Sequence, residues 1–223
     1  KLRSAGIPTA HFVSPSIWAW RGNRIGKIRN AVSRMLVLFP FEAQLLEQGG
    51  VPATYTGHPL AEMLAEFPGR AAMREQLRLP AAAKIIALLP GSRVSELAQM
   101  ADLFLETAAQ IAAGAPDAQF LVPLVSRPTR DLFEAALYRR QKAVLNLTVL
   151  FGHAHEAMAA SDVVLAASGT ATLEAALLGR PVVITYRMPR LSYWMMRGRG
   201  YLPYVGLPNI LAGEFIAPEF LQD

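Results

Sequence analysis

Ile85-Ile86-Ala87-Leu88-Leu89-Pro90-Gly91-Ser92-Arg93-Val94-Ser95-Glu96 is the stretch whose reading decides the fold. A run of five apolar residues is too short for a helix and lacks the polar alternation of a half-exposed strand. It reads as a strand buried on both faces. Pro90 and Gly91 end it, and from Leu97 to Ala113 the apolar residues recur with helical spacing until Gly114 and Pro116 stop them. The same alternation then repeats. Strands are expected at Gln119 to Leu124, Leu147 to Phe151, Val163 to Ala166 and Pro181 to Tyr186. Helices are expected at Thr129 to Val144, His155 to Ala160 and Thr170 to Leu178. Short apolar strands separated by amphipathic helices make βαβ units, hence an α/β fold with a doubly wound parallel sheet covered on both faces.

Working outward, the first third has strands expected at Ala10 to Val13, Met35 to Phe39 and Tyr55 to Gly57. A basic helix, Arg21 to Arg34, and a second helix, Phe41 to Gly49, lie between them. Gly57-His58-Pro59 breaks the pattern, and Leu60 to Arg78 is helical around an interruption at Pro68-Gly69. The expected organisation is therefore residues 1–58 as the end of one domain, 59–206 as a second, and 207–223 as the start of a return segment, with a helix at Pro208-Asn209-Ile210-Leu211. Lys1 is not a start methionine, no signal peptide follows it, and the chain reads as a piece of a longer protein.

Composition narrows the classes. At 223 residues, 52% hydrophobic and 17% charged, the chain is neither disordered nor a coiled coil. Its net charge of +5 favours phosphorylated ligands, nucleic acid or an anionic membrane face without choosing among them. With no cysteine there is no disulfide framework, thiolate nucleophile or zinc–thiolate site. The longest weakly charged run, Val163 to Gly179, is short and interrupted, so no transmembrane helix is expected.

In an open α/β sheet, ligands bind beyond the carboxyl ends of the strands. The turns there carry small residues, hydroxyls and arginines. In Ala167-Ser168-Gly169-Thr170-Ala171-Thr172-Leu173-Glu174, Gly169 lets a ligand approach the backbone and the helix start supplies free N–H groups. Ser168 and Thr170 add hydroxyls, and Glu174, one turn on, suits the two hydroxyls of a ribose. An ordinary helix cap with a solvated first-turn acid fits this octapeptide equally well. In Pro90-Gly91-Ser92-Arg93, Arg93 suits a diphosphate, against the alternative of a surface pair with Glu96.

Other chemistries fail on spacing. There is no Gly-x-Gly-x-x-Gly and no Gly-x-Ser-x-Gly, and Gly22 to Ile28 is one residue short of a P-loop. No Asp-x-Asp pair exists, and His153-Ala154-His155-Glu156 has spacing that diverges on a helix, so no metal is expected. The basic helix Arg21 to Arg34 fits a solvated face or a lipid headgroup contact, and no motif supports nucleic acid.

Val13-Ser14-Pro15-Ser16-Ile17-Trp18-Ala19-Trp20-Arg21, Phe39-Pro40-Phe41-Glu42, Gly57-His58-Pro59, Leu89 to Arg93, Ser168 to Glu174 and Leu207-Pro208-Asn209-Ile210-Leu211 occur in this order. Together they closely resemble the lipid-A-disaccharide synthase family, bacterial glycosyltransferases of the GT-B type, essentially from end to end. The Ser-Pro-Ser-x-Trp-Ala-Trp-Arg element belongs to that family, whereas the Gly-Ser-Arg and Ser-Gly-Thr loops recur across GT-B enzymes.

The resemblance implies two Rossmann-like domains facing across a cleft, the second holding UDP. It implies transfer of 2,3-diacylglucosamine from UDP-2,3-diacylglucosamine to 2,3-diacylglucosamine 1-phosphate at the cytoplasmic face of the inner membrane. It carries Ser92, Arg93, Ser168, Gly169, Thr170, Glu174 and Asn209 onto the substrate side, with Gly152 and His153 near uracil through their backbone. Arg93 has the catalytic part, stabilising the diphosphate. The general base is expected from an aspartate upstream of Lys1, with His11, Glu42 and His58 as fallbacks. No metal or other cofactor is implied. The expected partners are the two acylated sugars, an anionic membrane surface and a second copy of the full-length protein. Two other readings remain open here: a UDP-N-acetylglucosamine 2-epimerase relative, whose usual Ser-Gly-Gly loop is absent, and a non-catalytic UDP-binding module.

The run Met188 to Tyr204 mixes Arg190, Arg197 and Arg199 with Tyr193, Trp194, Met195, Met196 and Tyr201. That blend suits a surface against lipid or acyl chains, or an aromatic core under arginine stems. On the lipid reading, anionic vesicles shield Trp194 from an aqueous quencher in a variant with Trp18 and Trp20 replaced by phenylalanine. Unchanged quenching supports the core reading.

Overall fold

The computed structural model describes residues 1–17, 24–140, 145–188 and 203–222. The lipid-facing expectation for residues 188–204 thus lies almost wholly outside the described residues, as does the end of the helix expected to run to Val144. The chain divides into two compact units, one taking in Lys1–Met63 and the other Leu64–Arg190 with Tyr204–Asp223.

The first unit is a three-stranded parallel sheet, β1 (Ala10–Phe12), β2 (Arg34–Val37) and β3 (Ala53–Tyr55), in sequential order. Helix α1 (Ile25–Ala31) connects the first pair and α2 (Pro40–Gln48) the second. Met35, Val37, Leu46, Val51 and Ala53 form its core with Ile17 and Val32. Strand β2 stops at Val37 rather than at Phe39. The Glu42 carboxylate accepts the Leu38 and Phe39 amides at 3.2 and 3.1 Å, which removes them from the ladder and caps α2. β3 ends before Gly57, whose φ of +82° turns the chain away.

The second unit is a Rossmann-like α/β domain. Its strands are β4 (Ile85–Leu89), β5 (Gln119–Leu124), β6 (Asn146–Phe151), β7 (Val163–Ala167), β8 (Val182–Tyr186) and β9 (Glu219–Leu221). All pair in parallel, in the order β6-β5-β4-β7-β8-β9. Its helices are α3 (Pro59–Ala65, which spans the boundary between the units), α4 (Arg70–Gln76), α5 (Val94–Gly114), α6 (Arg127–Arg139), α7 (Ala154–Ala160), α8 (Thr170–Leu177) and α9 (Leu207–Ala212). Both sheet faces are buried, as the continuous apolar runs require. Leu88, Leu165 and Ala167 point into a core with Leu97, Met100, Phe104, Phe120 and Phe133. Ala87, Leu89, Val164 and Ala166 point into the opposite core with Met158 and Ile184.

Strand β9 is a departure from the sequence reading, which expected the return segment to be helical. Three residues after Pro218 carry no periodicity, and only the open edge of β8 (Ile184, Thr185 and Tyr186 opposite Glu219, Phe220 and Leu221) makes them a strand. Helix α6 starts two residues earlier than expected, because Ser126 accepts the Thr129 amide and Pro128 sits in the first turn.

At the amino edge of the sheet, the buried Arg74 side chain, 7% exposed, donates to the Asp162 carboxylate at 2.8 Å and to the Ala160 carbonyl at 2.9 Å. Asp162 also takes Arg70 at 2.7 Å and the Ile85 amide at 2.9 Å, which joins the starts of β4 and β7. Burial by itself would raise the Asp162 carboxyl, but the Ile85 amide, Arg74 and Arg70 outweigh it and hold it below its ordinary value. Its contribution to stability is full above about pH 4 and drains away as acidification takes the pH through the lowered native value. Asp162→Ala should cost about 2–3 kcal/mol in urea unfolding near neutral pH, less than a fully buried pair because the carboxylate keeps some water. It should also flatten the acid limb of the stability curve; an unchanged limb would assign that limb to other carboxylates.

Candidate functional site

The strand order reverses between β4 and β7, and Leu89 pairs directly with Ala166. The turn Pro90–Arg93 and the turn Ser168–Thr170 therefore leave neighbouring strands at one edge, at the crevice where open α/β sheets bind ligands. The fold brings these two predicted loops together.

After β7, Gly169 has φ +139°, a conformation that other residues rarely adopt, and among the described residues beyond its chain neighbours no atom lies within 4 Å of where a Cβ would stand. The backbone there is open to close approach. The first bond of the helical turn is the 3.3 Å contact from the Thr172 amide to the Gly169 carbonyl, so the Thr170 and Ala171 amides precede the ladder. Thr172 also donates its hydroxyl to the Gly169 carbonyl at 2.8 Å. The helix cap is made here by Gly169 and Thr172, leaving the half-buried Ser168 and exposed Thr170 hydroxyls for a ligand.

After β4, the Arg93 guanidinium, 77% exposed, pairs with Glu96 at 2.6 Å. The Ser92 and Arg93 amides point at the other Glu96 oxygen, both at 3.3 Å. The pairing considered from sequence is thus present, and it does more than join two side chains. The Glu96 carboxylate occupies a small concavity of N–H groups and a guanidinium, a donor set that equally suits a phosphate oxygen. Gly91, φ +124°, keeps the turn close to Glu96: a Cβ there would stand 2.9 Å from that of Glu96. At the end of β8, two strands away, burial raises the Tyr186 hydroxyl above its ordinary value; the Glu96 carboxylate adds to the rise and Arg93 opposes it. Tyr186 therefore lies within the field of this pair.

Two further elements complete the edge. Gly152 and His153 both adopt left-handed conformations after β6, and His153 Nδ1 lies 3.1 Å from Glu156. Glu156 is held below its ordinary value: burial opposes this, but its backbone hydrogen bond and the His153 and His155 rings prevail. His155, in the first turn of α7, places Nε2 3.1 Å from Glu174 on α8. The His-x-His-Glu run is thereby divided between two separate carboxylates. No group of three His, Asp or Glu side chains able to hold a metal exists among the described residues.

Asn209, expected on the substrate side, sits within α9. It is fully buried, donating to the Ala217 carbonyl (2.8 Å) and Glu219 (2.7 Å) and accepting the Ile216 and Ala217 amides. Its amide closes the return loop onto β9 and has no capacity turned outward. Among the fallback bases, Glu42 is buried as the α2 cap, and His58 Nδ1 accepts the Leu60 amide at 3.2 Å. His11 sits exposed on β1. Sequence reading missed Glu96 as a lining group, and it missed His155 as the partner of Glu174. The first was detectable, since an acid at the third position of a helix reaches back to the turn. The second had no local signal.

The family described as lipid-A-disaccharide synthetase matches residues 1–223. The chain is 57% identical to a lipid-A-disaccharide synthase of Methylobacillus flagellatus over its whole length, covering 59% of that relative. A lipid-A-disaccharide synthase of an Azoarcus species is likewise 57% identical, with 57% of its length covered. The chain thus spans somewhat over half the length of these relatives. Among solved structures, UDP-GlcNAc 2-epimerase from Neisseria meningitidis, bound to UDP-GlcNAc, superposes with a TM-score of 0.57 at 16% identity, over 98% of this chain and 60% of that one. An Anabaena protein, HepE, in complex with UDP-glucose gives 0.51 at 17% identity, over 82% and 55%. At such identities the likeness is one of fold.

The exposure of Arg93 sets an expectation for stability. Because its pair with Glu96 is largely solvated on the arginine side, Arg93→Ala should change the urea-unfolding free energy by less than about 1 kcal/mol. A larger loss would make Arg93 a structural residue of the turn.

Proposed function

The chain belongs to the lipid-A-disaccharide synthetase family, and from that premise we propose that it supplies the nucleotide-sugar domain of a glycosyltransferase. The reaction moves 2,3-diacylglucosamine from UDP-2,3-diacylglucosamine to 2,3-diacylglucosamine 1-phosphate. The acceptor 6-hydroxyl oxygen bonds to the anomeric carbon as the bond from that carbon to the diphosphate breaks. The hydroxyl proton passes to a base, and the products are the β-1,6-linked disaccharide and UDP. The observation that carries this reading is the pairing of β4 with β7, which sets the Gly91–Arg93 and Ser168–Thr170 turns side by side at the switch point.

Negative charge grows on the departing diphosphate, and donors already aimed at it lower the barrier. The leading amides of α8 and the hydroxyls of Ser168 and Thr170 are one such set. Arg93 is the other, exchanging its bond to Glu96 for one to phosphate. Glu174 accepts the ribose hydroxyls, and the Gly152–His153 backbone borders the uracil. Asn209 acts at one remove, holding the return loop. The base is assigned to the acceptor-side domain. The 57% identity to enzymes named for this reaction favours it over epimerisation, where the likeness is one of fold at 16% identity. Both sugars carry acyl chains, so the reading places the enzyme at the cytoplasmic face of the inner membrane, against anionic lipid. No helix of the described residues is long and apolar enough to cross it.

In the full-length protein, Glu174→Ala should weaken UDP binding, measured by calorimetry, by about 1–3 kcal/mol, the cost of losing a charged hydrogen-bond partner. Unchanged affinity in a folded variant would leave Glu174 a helix-surface acid. Arg93→Ala should lower kcat by about 100-fold in an assay of disaccharide formation. An epimerised sugar, or no product from the unaltered enzyme, would overturn the reaction assigned.

A further inference from the structure

We infer that His155 is a positioning residue for the nucleotide's ribose, acting through Glu174. The inference rests on the reading of Glu174 as the ribose carboxylate and adds the residue that holds it in place.

Glu174 projects from the second turn of α8, a helix of eight residues, and its side chain is 16% exposed. A carboxylate so far removed from water needs partners, and its own helix provides none. His155, on α7, brings Nε2 to 3.1 Å from Glu174 Oε2 and is itself 28% exposed. The imidazole is held in turn by Phe67, whose ring meets it edge-on at 5.9 Å and 77°. Phe67 follows α3, so Phe67, His155 and Glu174 link three separate segments of the second unit in series. With Nε2 facing a carboxylate, that nitrogen carries the proton and donates, whether the ring is neutral or charged. One oxygen of Glu174 is thereby fixed, which selects its rotamer and leaves Oε1 to accept from a ligand. A carboxylate that must bridge two vicinal hydroxyls gains affinity from such prior ordering, because the rotamer entropy is already lost before the ligand arrives.

The role differs from simple packing in what it predicts. The benefit of ordering Glu174 is felt only by ligands that have ribose hydroxyls to offer it. The experiment uses the full-length protein and compares UDP with 2′,3′-dideoxy-UDP by calorimetry in the unaltered enzyme, Glu174→Ala, His155→Leu and His155→Gln. Leucine keeps the apolar contact with Phe67 and removes the donor; glutamine restores a donor at similar reach. His155→Leu should lose about tenfold in affinity for UDP and less than twofold for the dideoxy ligand, and His155→Gln should recover most of the loss. His155→Ala replaces the leucine variant where the latter unfolds.

Equal losses for both ligands would make His155 a packing residue of the pocket and overturn the inference, as would an unchanged preference for UDP. The reading of Glu174 is tested separately. If the unaltered enzyme and Glu174→Ala do not differ in their preference between the two ligands, the ribose assignment itself fails and the inference falls with it. If that preference depends on Glu174 but not on His155, the assignment stands and only the positioning role is lost.

Discussion

The parallel pairing of β4 with β7 is the constraint on which the rest of the second unit depends. Two strands nearly eighty residues apart in sequence lie side by side from Ile86 opposite Val163 to Leu89 opposite Ala166. At one end of this pair, Asp162 is tied to Ile85 through both backbone and side chain, with buried Arg74 as counter-ion. At the other end the chains part into two helices that run to opposite faces of the sheet. In the gap so created, the start of α8 and the turn carrying Arg93 leave neighbouring strands at the same edge. Register at the amino end thus governs geometry at the carboxyl end.

Carboxylates do a large part of the shaping at this edge. Glu96 gathers the amides of the turn after β4, and Glu174 is held between α7 and α8. Glu219 accepts the Val205 and Gly206 amides and the Asn209 side chain where the return segment meets the sheet. Each stabilises donor groups that would otherwise be poorly satisfied, and each does so through a bond that spans a turn or a pair of elements. Amides and a guanidinium gathered at one edge make positive potential, and internal acids balance it. Glu96 in particular holds the Arg93 guanidinium and the Ser92 and Arg93 amides at once.

Much of the fold was legible from residue order. The runs Ile85 to Leu89 and Gln119 to Leu124 appear as strands with the expected bounds, because a short apolar run closed by a turn has few other uses in a parallel sheet. The Gly169 turn was legible for a similar reason: a glycine between two hydroxyl residues at a strand-to-helix junction is a local, backbone-encoded feature. Strand β9 was not legible, since its conformation is imposed by the exposed edge of β8 and not by its own side chains. The partners of Asn209 were not legible either. Its neighbours mark it as part of a recurring element, but whether its amide faces a ligand or its own loop depends on where Ala217 and Glu219 fold back.

What the sequence by itself determined was the fold class, the set of loops that gather at one edge, and the kinds of donor they carry. These follow from periodicity and turn chemistry, which act over a few residues and leave a direct trace in composition. What only the tertiary structure decided was the partnership of side chains from distant elements: His155 with Glu174, Arg74 with Asp162, Asn209 with Glu219. Such pairs depend on the order and register of strands, a long-range choice made by the burial of both sheet faces at once. No short window of residues contains that information, because the same side chain serves as surface acid or ligand carboxylate according to what the fold sets opposite it.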